Sequence, residues 1–151
     1  MAARYFEDFF EGLTVDLGNV EFTADGIIEF ARAYDPQPMH TNPDAARESI
    51  YGGLIASGWH TTGAYMRLLV DSVIGQSESL GSPGIDHLRW LKPVRPGDTL
   101  RARFTVLEAN ASRSRPDRGI VRSRGEMLNQ DNEVVMELEA ANFFGRRPGA
   151  D

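Results

Sequence analysis

The chain has no cysteine, which excludes disulfides and thiolate metal sites and is compatible with a reducing compartment. No stretch approaches the ~18 consecutive apolar residues of a membrane span. Met1 is followed by Ala-Ala-Arg-Tyr-Phe-Glu-Asp, not by a basic start and an apolar run, so neither a leader nor a membrane anchor is expected and the expected location is cytoplasmic. Positive charge is not in excess. The 22 acidic and 16 basic residues leave a formal charge of -6, which argues against a general affinity for nucleic acid. Histidine is scarce as well: residues 40, 60 and 87 form no His-x-x-x-His pair, and no metal site is expected.

What is present is a globular composition. Hydrophobic residues at 41% and charged residues at 25% over 151 positions suit one compact domain, 1–151, with no repeat and no low-complexity linker. The segment TVDLGNVEF, residues 14–22, reads as extended. Thr23 then suits the N-cap of a short helix through Tyr34, with Ile27, Ile28, Phe30 and Ala31 on its buried side. Asn42-Pro43-Asp44 predicts a second helical start, because proline is preorganised for the first turn and an acid suits its positive end. The longest helical signal runs from Gly58 to about Gly75, roughly 27 Å at 1.5 Å per residue. Trp59, Gly63, Met66, Val70 and Val73 recur on it at helical spacing as a candidate core stripe, widened by Ala64, Leu69 and Ile74.

From Gly84 onward the period changes to two. Leu100, Ala102, Phe104 and Val106 alternate with Arg101, Arg103 and Thr105, and Val134, Met136, Leu138 and Ala140 alternate in part with Glu137 and Glu139. Turn residues at Pro93, Pro96-Gly97-Asp98, Pro116 to Gly119 and Asn129 to Asn132 separate the strands. The expectation is an α+β fold in which at least four consecutive antiparallel strands wrap one long helix, with exposed edges that favour pairing with a second copy.

The candidate chemistry lies in Asp35-Pro-Gln-Pro-Met-His40. Proline removes the preceding residue from the helical region, so the first helix ends at Asp35, and Pro38 repeats the effect. In a continued helix Asp35 and His40 would stand about 140° apart around the axis and could not meet at one small molecule. A stiff extended loop lets them share a cleft, and a carboxylate and an imidazole around one water suit general acid–base work. The plain alternative is a helix-ending aspartate followed by a solvated histidine.

The same run resembles the Asp-x-Asn-Pro-x-His signature of the MaoC-like dehydratases, the (R)-specific enoyl-CoA hydratases. The glycine-rich YGGLIASGWHTTG and the segment GSPGIDHLRWLKPVRPGDTL extend that likeness over residues 5–147. The resemblance implies a hot-dog fold and a homodimer or higher homo-oligomer. It also implies an acyl-CoA or acyl-carrier thioester as substrate, with coenzyme A entering only as part of it. By matching positions, Asp35 and His40 hold the water, and the Gly58 backbone N–H takes the thioester oxygen, a role a helix N-terminus also suits on electrostatic grounds. Gln37 stands where the family usually has Asn, and Ser57-Gly58-Trp59 where many members have His-Gly-Met. Gln37 and Trp59 are therefore expected at the substrate, with residues around Met66 and Leu69 shaping the acyl tunnel.

Other features have plainer readings. His60 is read as structural and His87 as a sheet-face residue, while Asp25, Asp44 and Asp71 are read as helix-start or solvated charges. Arg113, Arg115 and Arg118 form either a solvated hairpin tip or a contact for the phosphates of coenzyme A. Two competing functions stay open: a hot-dog thioesterase, whose catalytic acid commonly lies on the central helix, and a non-catalytic acyl-CoA-binding module.

Overall fold

The computed structural model describes residues 2–150. A strand β1, Thr14–Glu21, leads into helix α1, Ala24–Tyr34. The Thr23 hydroxyl caps α1 by accepting from the Gly26 N–H at 3.0 Å. Ile27 and Ala31 are its buried residues, while Ile28 and Phe30 are half-buried. Asp35 closes the helix, as the following proline requires.

The next segment differs from the extended loop that two prolines suggest. Pro38 begins a short helix, α2, Pro38–Thr41, and His40 sits on it, buried. Only Asp35, Pro36 and Gln37 bridge the two helices. Proline breaks a helix from inside but is preorganised for its first position, and Pro38 occupies that position. Asn42 then caps α3, Pro43–Arg47, through its side-chain oxygen, which accepts from the N–H groups of Asp44 and Ala45.

Helix α4 spans Gly58–Ser72, shorter than the periodicity predicts, and a 3-10 turn over Ile74–Gln76 follows it. Val73 leaves the helical region with φ -129 and ψ -64 and terminates the regular ladder. The buried face of α4 is Thr61, Tyr65 and Leu69, continued by Val73. Of the predicted stripe, Leu69 and Val73 are in the core and Ala64 and Ile74 pack against it, whereas Trp59, Gly63 and Met66 are exposed and form the open flank. Tyr65 settles the orientation: its ring fills the notch above Gly125, where a Cβ would come within 2.3 Å of it.

Strands β2, Gly84–Trp90, β3, Thr99–Ala111, β4, Arg118–Leu128, and β5, Val134–Gly145, complete the sheet. All pairings are antiparallel and the order is β1-β3-β4-β5-β2. The strands after α4 are antiparallel as expected, but β2 lies beside β5 at the edge and is not the neighbour of β3. The turn before β3 depends on Gly97, whose φ of 91° is left-handed, and on Asp98, whose carboxylate accepts from the Arg95 N–H. Phe9, Phe104, Phe144, Leu100 and Met136 pack with Tyr65 and Leu69 into one core between α4 and the sheet. This is an α+β hot-dog architecture, an antiparallel sheet around one long helix. No helix among the described residues is long and apolar enough to cross a membrane.

Candidate active site

The end of α1, the short α2 and the start of α4 meet at one cleft of about 610 Å³. Asp35, Gln37, His40, Gly58 and Trp59 all line it, so the candidate catalytic residues and the two residues expected at the substrate fall on the same surface. Three hydrogen bonds fix the backbone that brings them together. Ile55 N–H donates to Met39 O at 3.1 Å, His40 Nδ1 bonds Ile55 O at 2.8 Å, and Ala56 N–H donates to Val94 O at 2.8 Å. The segment before α4 is thereby tied to α2 on one side and to the start of the β3 turn on the other.

The bond to Ile55 sets the state of the imidazole. A carbonyl oxygen can only accept, so Nδ1 carries the hydrogen and neutral His40 keeps its lone pair on Nε2. That nitrogen lies 3.4 Å from Asp35 Oδ2. Two acceptors this close can both bind one small molecule with O–H donors.

Asp35 is held on both oxygens. Gln37 Nε2 donates to Oδ1 at 2.7 Å, and Ser57 Oγ donates to Oδ2 at 2.7 Å. The Gln37 bond, then the Ser57 bond, then the nearby imidazole hold the carboxyl below its ordinary value against the opposing effect of burial. Asp35 is therefore an ionised carboxylate at neutral pH. Gln37, expected at the substrate, spends its amide on this carboxylate.

Gly58 is the first residue of α4, with Ser57 as N-cap. The first N–H groups of a helix have no intrahelical acceptor. Ser57 Oγ accepts from Trp59 N–H at 3.3 Å, and Gly58 lines the cleft. The indole of Trp90, on β2, lies directly on Gly58, and a Cβ there would come within 2.3 Å of it. Trp90 is held in turn by its Nε1–H donating to Thr62 Oγ1 at 3.0 Å, while Thr62 donates to Gly58 O at 2.9 Å. Trp59 meets Trp90 edge to face at 5.2 Å.

Ser57 and Trp90 were not anticipated as site residues. The serine immediately before a helix-initial glycine carries an N-cap signal that could have found Ser57. Trp90 needs the tertiary fold, which lays an edge strand over a helix end. Met66 and Leu69, expected near the acyl tunnel, do not line the cleft: Met66 is on the open flank and Leu69 in the core.

The remaining candidates lie elsewhere. His60 sits between the rings of Phe22 and Phe30, at 4.5 and 4.8 Å, and burial pushes its pKa below the ordinary value. His87 bonds Glu137 at 3.1 Å across the sheet face. Asp71 pairs with Arg67 at 3.0 Å, Asp44 pairs with Arg47, and Asp25 lies in the first turn of α1. Arg118 pairs with Asp117 at 2.9 Å, Arg113 and Arg115 are exposed, and none of the three arginines lines the cleft.

Residues 12–124 match the family model described as the MaoC like domain. The crystal structure of a MaoC-like dehydratase from Rhodospirillum rubrum superposes with a TM-score of 0.89 at 43% identity, covering 95% of this chain and 98% of that one. A 3-hydroxybutyryl-CoA dehydratase from Methylorubrum extorquens is 29% identical over 153 residues, spanning 96% of this chain and 92% of that protein. An (R)-specific enoyl-CoA hydratase from Rhodospirillum rubrum is 31% identical over 107 residues, 68% of this chain and 69% of its own length. With its hot-dog fold and a match that runs over most of its length, the chain belongs to the MaoC-like dehydratase family.

Proposed function

We propose that the protein is a cytoplasmic hydro-lyase that adds water reversibly to a trans-2-enoyl thioester of coenzyme A or acyl carrier protein, giving the (R)-3-hydroxyacyl thioester. The observation that carries this reading is the approach of His40 Nε2 to Asp35 Oδ2, 3.4 Å apart, in a cleft that also contains the N-terminus of α4. Named relatives that hydrate or dehydrate acyl-CoA substrates support it.

A water between the two side chains donates one hydrogen to Asp35 and meets the lone pair of His40 with the other. Its oxygen attacks C3 of the enoyl group, and the electron pair of the C2–C3 double bond moves through C1 onto the thioester oxygen. The Gly58 N–H donates to that oxygen as its charge develops, at a helix end whose partial positive charge acts in the same sense. The proton taken up by the Asp35–His40 pair is the one available to C2, which restores the thioester and the resting pair. Every atom of water ends in the product, and no resident cofactor is needed. Gln37 serves this chemistry by holding Asp35, while Trp59, backed by Trp90, walls the space for the acyl thioester. The edge strand β2, with exposed Ile85 and Trp90, and the open flank of α4, with Trp59 and Met66, offer an apolar surface suited to a second copy of the chain.

The thioesterase reading loses support from the central helix, whose acid is Asp71, paired with Arg67 at the surface and absent from the cleft. The test is to incubate the purified protein with trans-2-enoyl-CoA of several chain lengths, following loss of the conjugated thioester and release of free thiol together. Hydration without thiol is expected. Thiol release would favour the thioesterase, and neither change at any chain length the binding module. Asp35→Asn is expected to lower kcat by about 10²- to 10⁴-fold with the fold intact; a near-normal rate would remove Asp35 from the mechanism.

A further inference from the structure

We infer that Ser57 is a positioning residue that locks the Asp35 carboxylate to the N-terminus of α4, so that one hydroxyl sets the distance between the water-activating pair and the oxyanion donor. The inference rests on the hydro-lyase reading and goes further, to a residue whose side chain need not touch the substrate.

A serine hydroxyl has one hydrogen to give and lone pairs to receive. That hydrogen goes to Asp35 Oδ2 at 2.7 Å, and the same oxygen accepts from Trp59 N–H at 3.3 Å. Ser57 is wholly buried, so no bulk water competes for either bond. The result is a relay from the backbone of α4, through Oγ, to the oxygen of Asp35 that faces His40. Gln37 holds the other carboxylate oxygen. With a donor on each oxygen, the carboxylate plane cannot turn without breaking a charge-assisted bond. Gly58, the next residue, carries the N–H proposed for the thioester oxygen, so the two halves of the reaction are separated by one hydroxyl and one peptide unit.

An ordinary N-cap makes a different prediction. Serine is a favoured cap, and a capping role alone concerns only the stability of α4. The two roles separate by substitution. Glycine is tolerated at an N-cap much better than alanine, yet both Ser57→Gly and Ser57→Ala remove the hydroxyl from Asp35. A carboxylate that has lost a donor binds its proton more tightly, which moves the acid limb of the pH–rate profile upward.

The experiment measures kcat and KM for a trans-2-enoyl-CoA across pH in the wild type and both variants, with thermal unfolding alongside. In the substrate-free proteins the carboxyl resonance of Asp35 is titrated by NMR. The expected result is a fall in kcat/KM of about 10- to 100-fold in both variants, the loss of a hydrogen bond to a charged group. It should fall mainly on kcat, with the acid limb and the Asp35 titration displaced to higher pH in both. A lowered melting temperature in Ser57→Ala alone, with the Asp35 titration unmoved in either variant, would overturn the inference and leave Ser57 as a cap. Wild-type inactivity on every enoyl thioester would instead defeat the hydro-lyase reading. The NMR titration would then still decide whether Ser57 governs the carboxylate.

Discussion

Along α4, Thr61, Tyr65 and Leu69 face the core, whereas Trp59, Gly63 and Met66 on the same helix lie open. Thr61 and Trp59 are two residues, about 200° of helix, apart. The buried side carries a threonine and a tyrosine before its leucine; the open side carries a tryptophan and a methionine about a glycine. Apolar character alone therefore did not select the core face of this helix. The core selected the face whose shapes fit the sheet, with Tyr65 seated over Gly125. The open face retains large apolar groups because it continues into the cleft wall at Trp59 and Trp90 and borders the free edge of β2. Exposed apolar surface of this kind marks contact with a ligand or partner more than it marks a core.

Truncation on each side sharpens that contrast first. Leu69→Ala should destabilise the fold by about 2–5 kcal/mol, whereas Met66→Ala should change it by no more than about 0.5 kcal/mol. Denaturant unfolding monitored at one protein concentration measures both, and equal losses would break the assignment of faces. Overfilling the buried side comes next. Gly125→Ala places a Cβ 2.3 Å from the Tyr65 ring, a position the ring must vacate, and about 1–3 kcal/mol of stability should be lost. Combining it with Tyr65→Phe should not restore stability, because the ring atoms remain in the way.

The smallest effect concerns His60, between the two faces. Its folded pKa lies below the ordinary 6.5 because burial disfavours the cation. The unfolded chain therefore binds more protons in the window below about 6.5, and stability should fall as pH drops from that value through the depressed one. His60→Phe, which keeps an aromatic ring between Phe22 and Phe30, should flatten this part of the stability–pH curve. An unchanged slope would assign the acid sensitivity to other groups.

Much of the site could be read from the chain because it is local. Asp35 must end α1 because Pro36 follows it, and the convergence of Asp35 with His40 needs only that the helix be interrupted. The interruption itself was read as an extended loop, since Pro38 is a breaker inside a helix and a starter at its first position, and short-range pattern cannot distinguish the two. The stripe on α4 holds at Leu69 and Val73 but not at Trp59, Gly63 and Met66, because period alone gives two overlapping apolar faces; Tyr65 is chosen for the core by Gly125, about sixty residues away in the chain. The placement of β2 beside β5, and with it the indole of Trp90 over Gly58, is likewise a long-range result that no local window contains. Gly58 shows both sides of this. Its place at a helix start was legible, while the reason it must be glycine is a ring delivered by another strand.

The central claim is that the Asp35–His40 pair delivers water to C3 of an enoyl thioester. Its most direct test is hydration of trans-2-enoyl-CoA in water enriched in heavy oxygen, followed by mass spectrometry and chiral separation of the product. The account predicts one heavy oxygen on C3 of an intact (R)-3-hydroxyacyl-CoA, and loss of that product in Asp35→Asn. Heavy oxygen in a free carboxylate released with coenzyme A, or no incorporation at any chain length, would contradict it.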